Sequence, residues 1–199
     1  MSRTRLLLCA SILLSTLFGT STCSKAAAAA TASNNGNRQF AVVGYIPEYR
    51  YGIIDWDAMC KHLTHAIFFS IEVTAEGELD AMDRFPNSEI LARAHDAAKK
   101  YGTKLLICFG GNSRSGGFGT LVLSPEKRAH FIQNVMKLLD DNSLDGVDLN
   151  WEYPRSQAEW NGLFRLINEM KAAFKPTGRV LTMAVNFLSL LSLSSLLQH

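Results

Sequence analysis

The stretch Asp145-Gly146-Val147-Asp148-Leu149-Asn150-Trp151-Glu152-Tyr153-Pro154 decides how the 199-residue chain is read. On a strand, successive side chains point to opposite faces. Asp148, Asn150 and Glu152 then share one face, each about 6.6 Å from the next. Val147, Leu149 and Trp151 take the other face, towards covering helices. Proline cannot donate to a strand ladder, so the strand is expected to span 144–152 and to end with Glu152. Burying polar groups without partners costs free energy, and perturbed carboxyls gather at functional sites. Two acids and an amide in a row at a strand end therefore point to a site. The alternative is a satisfied polar ladder that only sets strand register.

Working outward, the same unit recurs. Apolar runs at 41–45, 64–73, 104–109 and 179–185 read as further strands. Between them lie helical patterns. Residues 55–62 form a short one. Ser88 is placed to cap the next, whose apolar face is Ile90, Leu91, Ala94, Ala97 and Ala98 and which Gly102 stops. Ser124-Pro125 opens a third, with Phe131, Ile132, Val135, Met136 and Leu139 at helical spacing. Trp160, Leu163, Phe164, Ile167, Met170 and Phe174 line a fourth, closed by Pro176 and Gly178. Alternating strands and helices imply a parallel sheet, and near-continuous apolar strands imply cover on both faces. Periodicity alone leaves an open doubly wound sheet and a closed barrel equally allowed. Gly110, Gly111, Gly116, Gly117 and Gly119 match neither dinucleotide nor P-loop spacing, so that segment reads as a flexible surface loop.

The ends differ from the middle. Arg3 and Arg5, the apolar run 6–19 and the small residues up to Ala30 have the order of a secretory signal, and residues 31–39 read as a linker. Without residues 1–30, which carry Arg3, Arg5, Lys25 and no acid, the formal charge of +2 falls close to neutral. That balance argues against nucleic acid and against an anionic membrane as partner. After signal removal the expectation is a secreted, extracellular monomer without membrane attachment. Cys60 and Cys108 fall in a helix-like and a buried-strand segment, and two free buried thiols are expected. No Cys/His spacing suggests a metal site, and no cofactor is expected. The Leu/Ser-rich tail 186–199 fits no sixth unit, and truncation is the expectation there.

Asp145 to Glu152 resembles the D-x-x-D-x-D-x-E signature of glycoside hydrolase family 18, with the Tyr153-Pro154 usual after it. Lys104 to Gly111 (KLLICFGG) is similar to that family's K-x-x-x-S-x-G-G, with Cys108 at the serine position. Gly44-Tyr45 and Thr64-His65 also stand where the family has similar residues. The resemblance covers 40–185 and implies an α/β fold, a parallel (β/α)8 TIM-type barrel with about five of its strands present. It implies substrate-assisted, retaining hydrolysis of β-1,4-N-acetylglucosamine linkages, as in chitin. Glu152 would be the acid, Asn150 would stand at the orienting position, and Asp148 would tune the pair. Tyr45, Tyr49, Gly111 and Tyr153 would lie against the sugar, with Asp145 and Gly146 supporting the motif. Asn150 departs from the family's aspartate. It can still hydrogen-bond an acetamido group but supplies no charge. The family's later strands, with a Tyr-Asp pair and a tryptophan floor, have no counterpart in this sequence. A chitinase-like lectin that binds without cutting, or an inactive fragment, are the competing readings.

Overall fold

The computed structural model describes residues 40–185, together with the backbone of 11–13. The signal, linker and tail readings fall almost entirely outside these residues. Five strands form a parallel sheet: β2 (Val43–Pro47), β3 (His65–Val73), β5 (Lys104–Gly110), β6 (Gly146–Asn150) and β7 (Val180–Ala184). The three-residue β1 (Ser11–Leu13) pairs antiparallel with β7, and the two-residue β4 (Leu79–Asp80) pairs antiparallel with the end of β3. Sheet order is β1-β7-β6-β5-β3-β2. Each parallel neighbour is therefore the next main strand in sequence, as in a β/α barrel rather than an open sheet whose order reverses.

Local chemistry explains the helices. In α1 (Trp56–Cys60), the Asp55 side chain accepts from the Ala58 N–H at 2.9 Å. In α4 (Pro125–Asp141), Ser124 caps and Pro125 takes the first turn, as expected. In α2 (Ser88–Tyr101), the cap is Asn87 rather than Ser88. Asn87 is extended, and its side-chain oxygen reaches the Ile90 N–H at 2.9 Å, leaving Ser88 as the first helical residue. Gly102 closes α2 in the left-handed conformation. α5 (Gln157–Phe174) is capped by Ser156 and is followed by a 3-10 turn through Pro176 to Gly178. Its buried face is Leu163, Leu166, Met170 and Phe174, with Trp160 and Ile167 half-buried against it.

The sheet has two faces of different character. Its outer face joins the helices in one large core that includes Phe68, Ile107, Phe109, Val147, Leu149 and Trp151. Its inner face holds the small cluster Ile67, Leu106 and Cys108, with Val43, Phe69 and Val180 against it. The alternation expected for β6 thus holds: Val147, Leu149 and Trp151 face the helices.

The glycine-rich segment after β5 is not the loose surface loop that its composition suggested. It contains α3 (Phe118–Leu121), and Phe118 and Leu121 are fully buried. Phe118 stacks on Trp151 with ring centroids 5.5 Å apart and 19° between planes. Such a pair contributes about 0.5–1.5 kcal/mol beyond its area, and it fastens this segment to the end of β6.

One contact measures the curvature of the sheet. The Tyr45 hydroxyl on β2 donates to Asp148 Oδ2 on β6 at 2.9 Å. Three strand spacings separate β2 from β6, roughly 14 Å along a flat sheet. Two side chains cannot span that and meet. The sheet has to bend inward, and the bond closes the chord of the bend.

Candidate active site

The inward residues of β6 define the site. Asp148 is 0% exposed and lies between Cys108 of β5 and Thr182 of β7, its register partners. Thr182 Oγ1 donates to Asp148 Oδ1 at 2.6 Å, and Tyr45 donates to Oδ2. The Cys108 thiol, its register partner on β5, lies beside the same carboxyl. Burial pushes the Asp148 carboxyl above the usual carboxylate range, and the Thr182 and Tyr45 hydroxyls, with the thiol beside them, pull in the opposite direction. Burial, followed by the nearby Asp148, pushes the Cys108 thiol well up. Cys60 and Cys108 are both free and buried, as expected.

β6 is shorter than the sequence suggested. It ends at Asn150, and Glu152 lies two residues past the ladder, half-buried. The Glu152–Tyr153 and Phe69–Ser70 peptide bonds are cis. Ser115 compensates for the early end of the strand. Its hydroxyl accepts from the Glu152 N–H at 3.1 Å and reaches the Gly111 carbonyl at 2.9 Å and the Asn150 carbonyl at 3.2 Å. The Gly111 N–H donates to the same Asn150 carbonyl at 2.7 Å. The segment after β5 therefore clamps the backbone that carries Asn150 and Glu152 at the C-terminal end of the sheet, where β/α barrels hold their sites.

Gly111 is required by this arrangement. Its φ is +112°, and a Cβ there would sit 2.6 Å from Phe69 Cζ. Gly146 is needed for closeness, because a Cβ would meet the Val180 carbonyl at 2.0 Å. Asp145 works at the opposite end of β6. It accepts from the Leu105 N–H at 2.9 Å and pairs with Lys104 at 2.8 Å, holding β5 and β6 in register.

The aromatic residues divide. Tyr45 is 37% exposed and engaged with Asp148, its ring edge-on to Phe69 at 5.8 Å. Tyr49 is 75% exposed and borders a cleft with Glu48, Tyr51, Arg84 and Phe85. Tyr153 is 44% exposed just beyond Glu152. No contact joins Tyr49 or Tyr153 to the Asp148 group, so the sequence-predicted residues form a tight inner set and a looser rim. Thr182, Ser115 and Arg114 were not foreseen. Thr182 was the most accessible of these, as a hydroxyl in an apolar strand. Ser115 and Arg114 sit in a segment that reads as a loop.

Among the described residues, no group of three or more His, Cys, Asp or Glu side chains could hold a metal ion. No helix among them is long and apolar enough to cross a membrane.

Residues 41–188 match the family model "Glycosyl hydrolases family 18". The chain is 37% identical over 101 residues to "Probable chitinase 10" of Drosophila melanogaster, covering 45% of this chain and 4% of that protein. It is 31% identical over 147 residues to an endochitinase of Manduca sexta, covering 65% of this chain and 25% of that one. The crystal structure of the Ostrinia furnacalis Group IV chitinase in complex with allosamidin superposes with a TM-score of 0.62 at 26% identity. That match covers 71% of this chain and 42% of the other. The chain spans less than half the length of each of these relatives.

Proposed function

Because the chain belongs to glycosyl hydrolases family 18, we propose that the end of β6 hydrolyses β-1,4-N-acetylglucosamine linkages, as in chitin, by a substrate-assisted route. The observation that carries this reading is the polar line Asp148, Asn150 and Glu152. Its deepest member is fully buried and satisfied by two hydroxyl donors, and its outermost lies two residues past the end of the strand. A ladder serving register alone has no need of a carboxyl beyond the last paired residue.

Glu152 protonates the glycosidic oxygen as the bond from C1 to that oxygen breaks. The acetamido oxygen of the same sugar attacks C1 and forms a cyclic oxazolinium. Water then opens the ring at C1 and returns a proton to Glu152, so the anomeric configuration is retained. Asn150 hydrogen-bonds the acetamido group without adding charge. Asp148, one step deeper, tunes the pair through its buried, hydrogen-bonded carboxyl. Tyr45, Tyr49 and Tyr153 offer faces and hydroxyls to the sugar rings, and Gly111 leaves room beside Phe69. The protein acts outside the cell once residues 1–30 are removed, which N-terminal sequencing of the exported protein would test.

A second reading, binding without cleavage, is favoured by Asn150. Turnover of a fluorogenic N-acetylglucosamine oligomer separates the two. Hydrolysis that falls by at least ~10² in Glu152→Gln supports the enzyme. Retention on chitin with no turnover above that variant supports the binding protein.

A further inference from the structure

Arg114 lies in the segment after β5, yet it reaches two other strands. Its Nη2 donates to Glu48 Oε1 at 2.8 Å, and its Nη1 lies 3.4 Å from Glu48 Oε2. Glu48 immediately follows β2. Nη1 also reaches the Ser70 hydroxyl at 3.2 Å and the Ser70 carbonyl at 3.4 Å, on β3. The guanidinium lies over the Phe69 ring, 5.5 Å from its centroid. Ser70 in turn donates to the Gly110 carbonyl at 2.6 Å. One side chain thus joins the tops of β2, β3 and β5.

These contacts lead towards the carboxylate site. Phe69 is held between the Arg114 guanidinium and the edge of Tyr45, and it also occupies the space that a side chain at Gly111 would need. Glu48 and Tyr45 are three residues apart on one short strand and turn. The pair is well ordered chemically. The Arg114 guanidinium holds the Glu48 carboxyl below its usual range, and a planar fork fixes geometry in a way a point charge does not.

We propose that Arg114 is a positioning residue, which pins Glu48 and the Phe69 ring so that the Tyr45 hydroxyl stays on Asp148. Its consequence for catalysis rests on the hydrolase reading above; its consequence for Asp148 does not. Arg114 touches no reacting atom and acts through Phe69 and Tyr45.

The groups facing Asp148 are Tyr45 from β2, Cys108 from β5 and Thr182 from β7, with Glu152 two residues past the end of its own strand. Losing the Tyr45 bond removes a donor to the ionised form, so Asp148 protonates at higher pH. Arg114 also bears on Cys108 through its charge, which provides a direct field route that the test has to separate. The measurement is the pH titration of the 13C-labelled Asp148 carboxyl by NMR in the full chain. It is made on the wild type, Tyr45→Phe, Arg114→Gln and the double variant. The expected result is an upward midpoint shift in each single variant, with no further shift when Arg114→Gln is added to Tyr45→Phe. Additive shifts would assign the effect to the field of the charge and overturn the positioning role. So would an Arg114→Gln midpoint equal to wild type. If Arg114→Gln does not fold, Glu48→Gln, which weakens the pair and keeps its shape, is read the same way. Turnover is recorded separately. If the wild type has none while the shifts are coupled, the hydrolase reading fails and the positioning role stands.

Discussion

Replacing Thr182 with valine removes one hydroxyl from the wall of the Asp148 site and changes almost no volume. That hydroxyl donates to Asp148 Oδ1 at 2.6 Å on the inner face of the sheet, and both residues are buried. A hydrogen bond to a charged group contributes about 1.5–3 kcal/mol, and one between neutral groups about 0.5–1.5 kcal/mol. The cost of Thr182→Val therefore depends on whether Asp148 is ionised. Burial raises the folded-state proton affinity of Asp148 above that of the unfolded chain. Between the two values the native state binds more protons, so its stability falls as pH rises through that window. Withdrawing a donor from the ionised form extends the window upward. Urea unfolding of wild type and variant between about pH 4 and pH 9 should then give a destabilisation of about 1 kcal/mol at the acid end. It should grow to about 1.5–3 kcal/mol at the alkaline end. A pH-independent difference would refute the reasoning, because it would mean that Asp148 keeps one protonation state throughout. A difference larger at the acid end would refute its sign.

Asn150→Asp restores a second carboxylate two residues from Asp148, and turnover should rise by ~10²–10³ or its pH profile should shift; assays of rate against pH that match wild type would dismiss Asn150 as a tuning residue. Glu169→Ala should destabilise the fold by about 3 kcal/mol, the low end for a broken buried pair, because Glu169 itself is 40% exposed on its side chain. It would strand the buried Arg128 guanidinium, which donates from two nitrogens to Glu169 and from a third to the Val122 carbonyl, and equilibrium unfolding reads the loss. Gly162→Ala should cost about 1–3 kcal/mol by overpacking. Its Cβ would come within 2.6 Å of the Val122 carbonyl, so a melting temperature equal to wild type would show that α5 can shift away.

The order of strands and helices was legible because each element announces itself locally. Ser124-Pro125 and Gly102 are start and stop signals whose action needs only a few neighbours. Boundaries were less legible. Asn87 and Ser88 are both capping residues, and only the backbone decides which oxygen meets the Ile90 N–H. The two inner members of the polar line were legible from alternation alone, since Asp148 and Asn150 lie on the paired part of β6. Glu152 lies beyond it, and its support from Ser115 depends on a segment with no periodicity to read. Thr182 and Arg114 could not be found this way. Their partners, Asp148 and Glu48, lie 34 and 66 residues away, and only the register and bend of the sheet bring them together.

The Tyr45–Asp148 bond also bears on how the molecule comes together. Its partners are 103 residues apart in sequence, and the entropy of closing a loop grows with its length. Each β/α pair along the way can form with its neighbour at far lower contact order. The carboxylate site is therefore expected to form late in folding. A chain that has acquired its helices and paired its strands, but not yet rolled its sheet, would give a near-native far-ultraviolet signal with Asp148 still hydrated. Recovery of helicity after dilution from denaturant should then run ahead of the burial of Asp148.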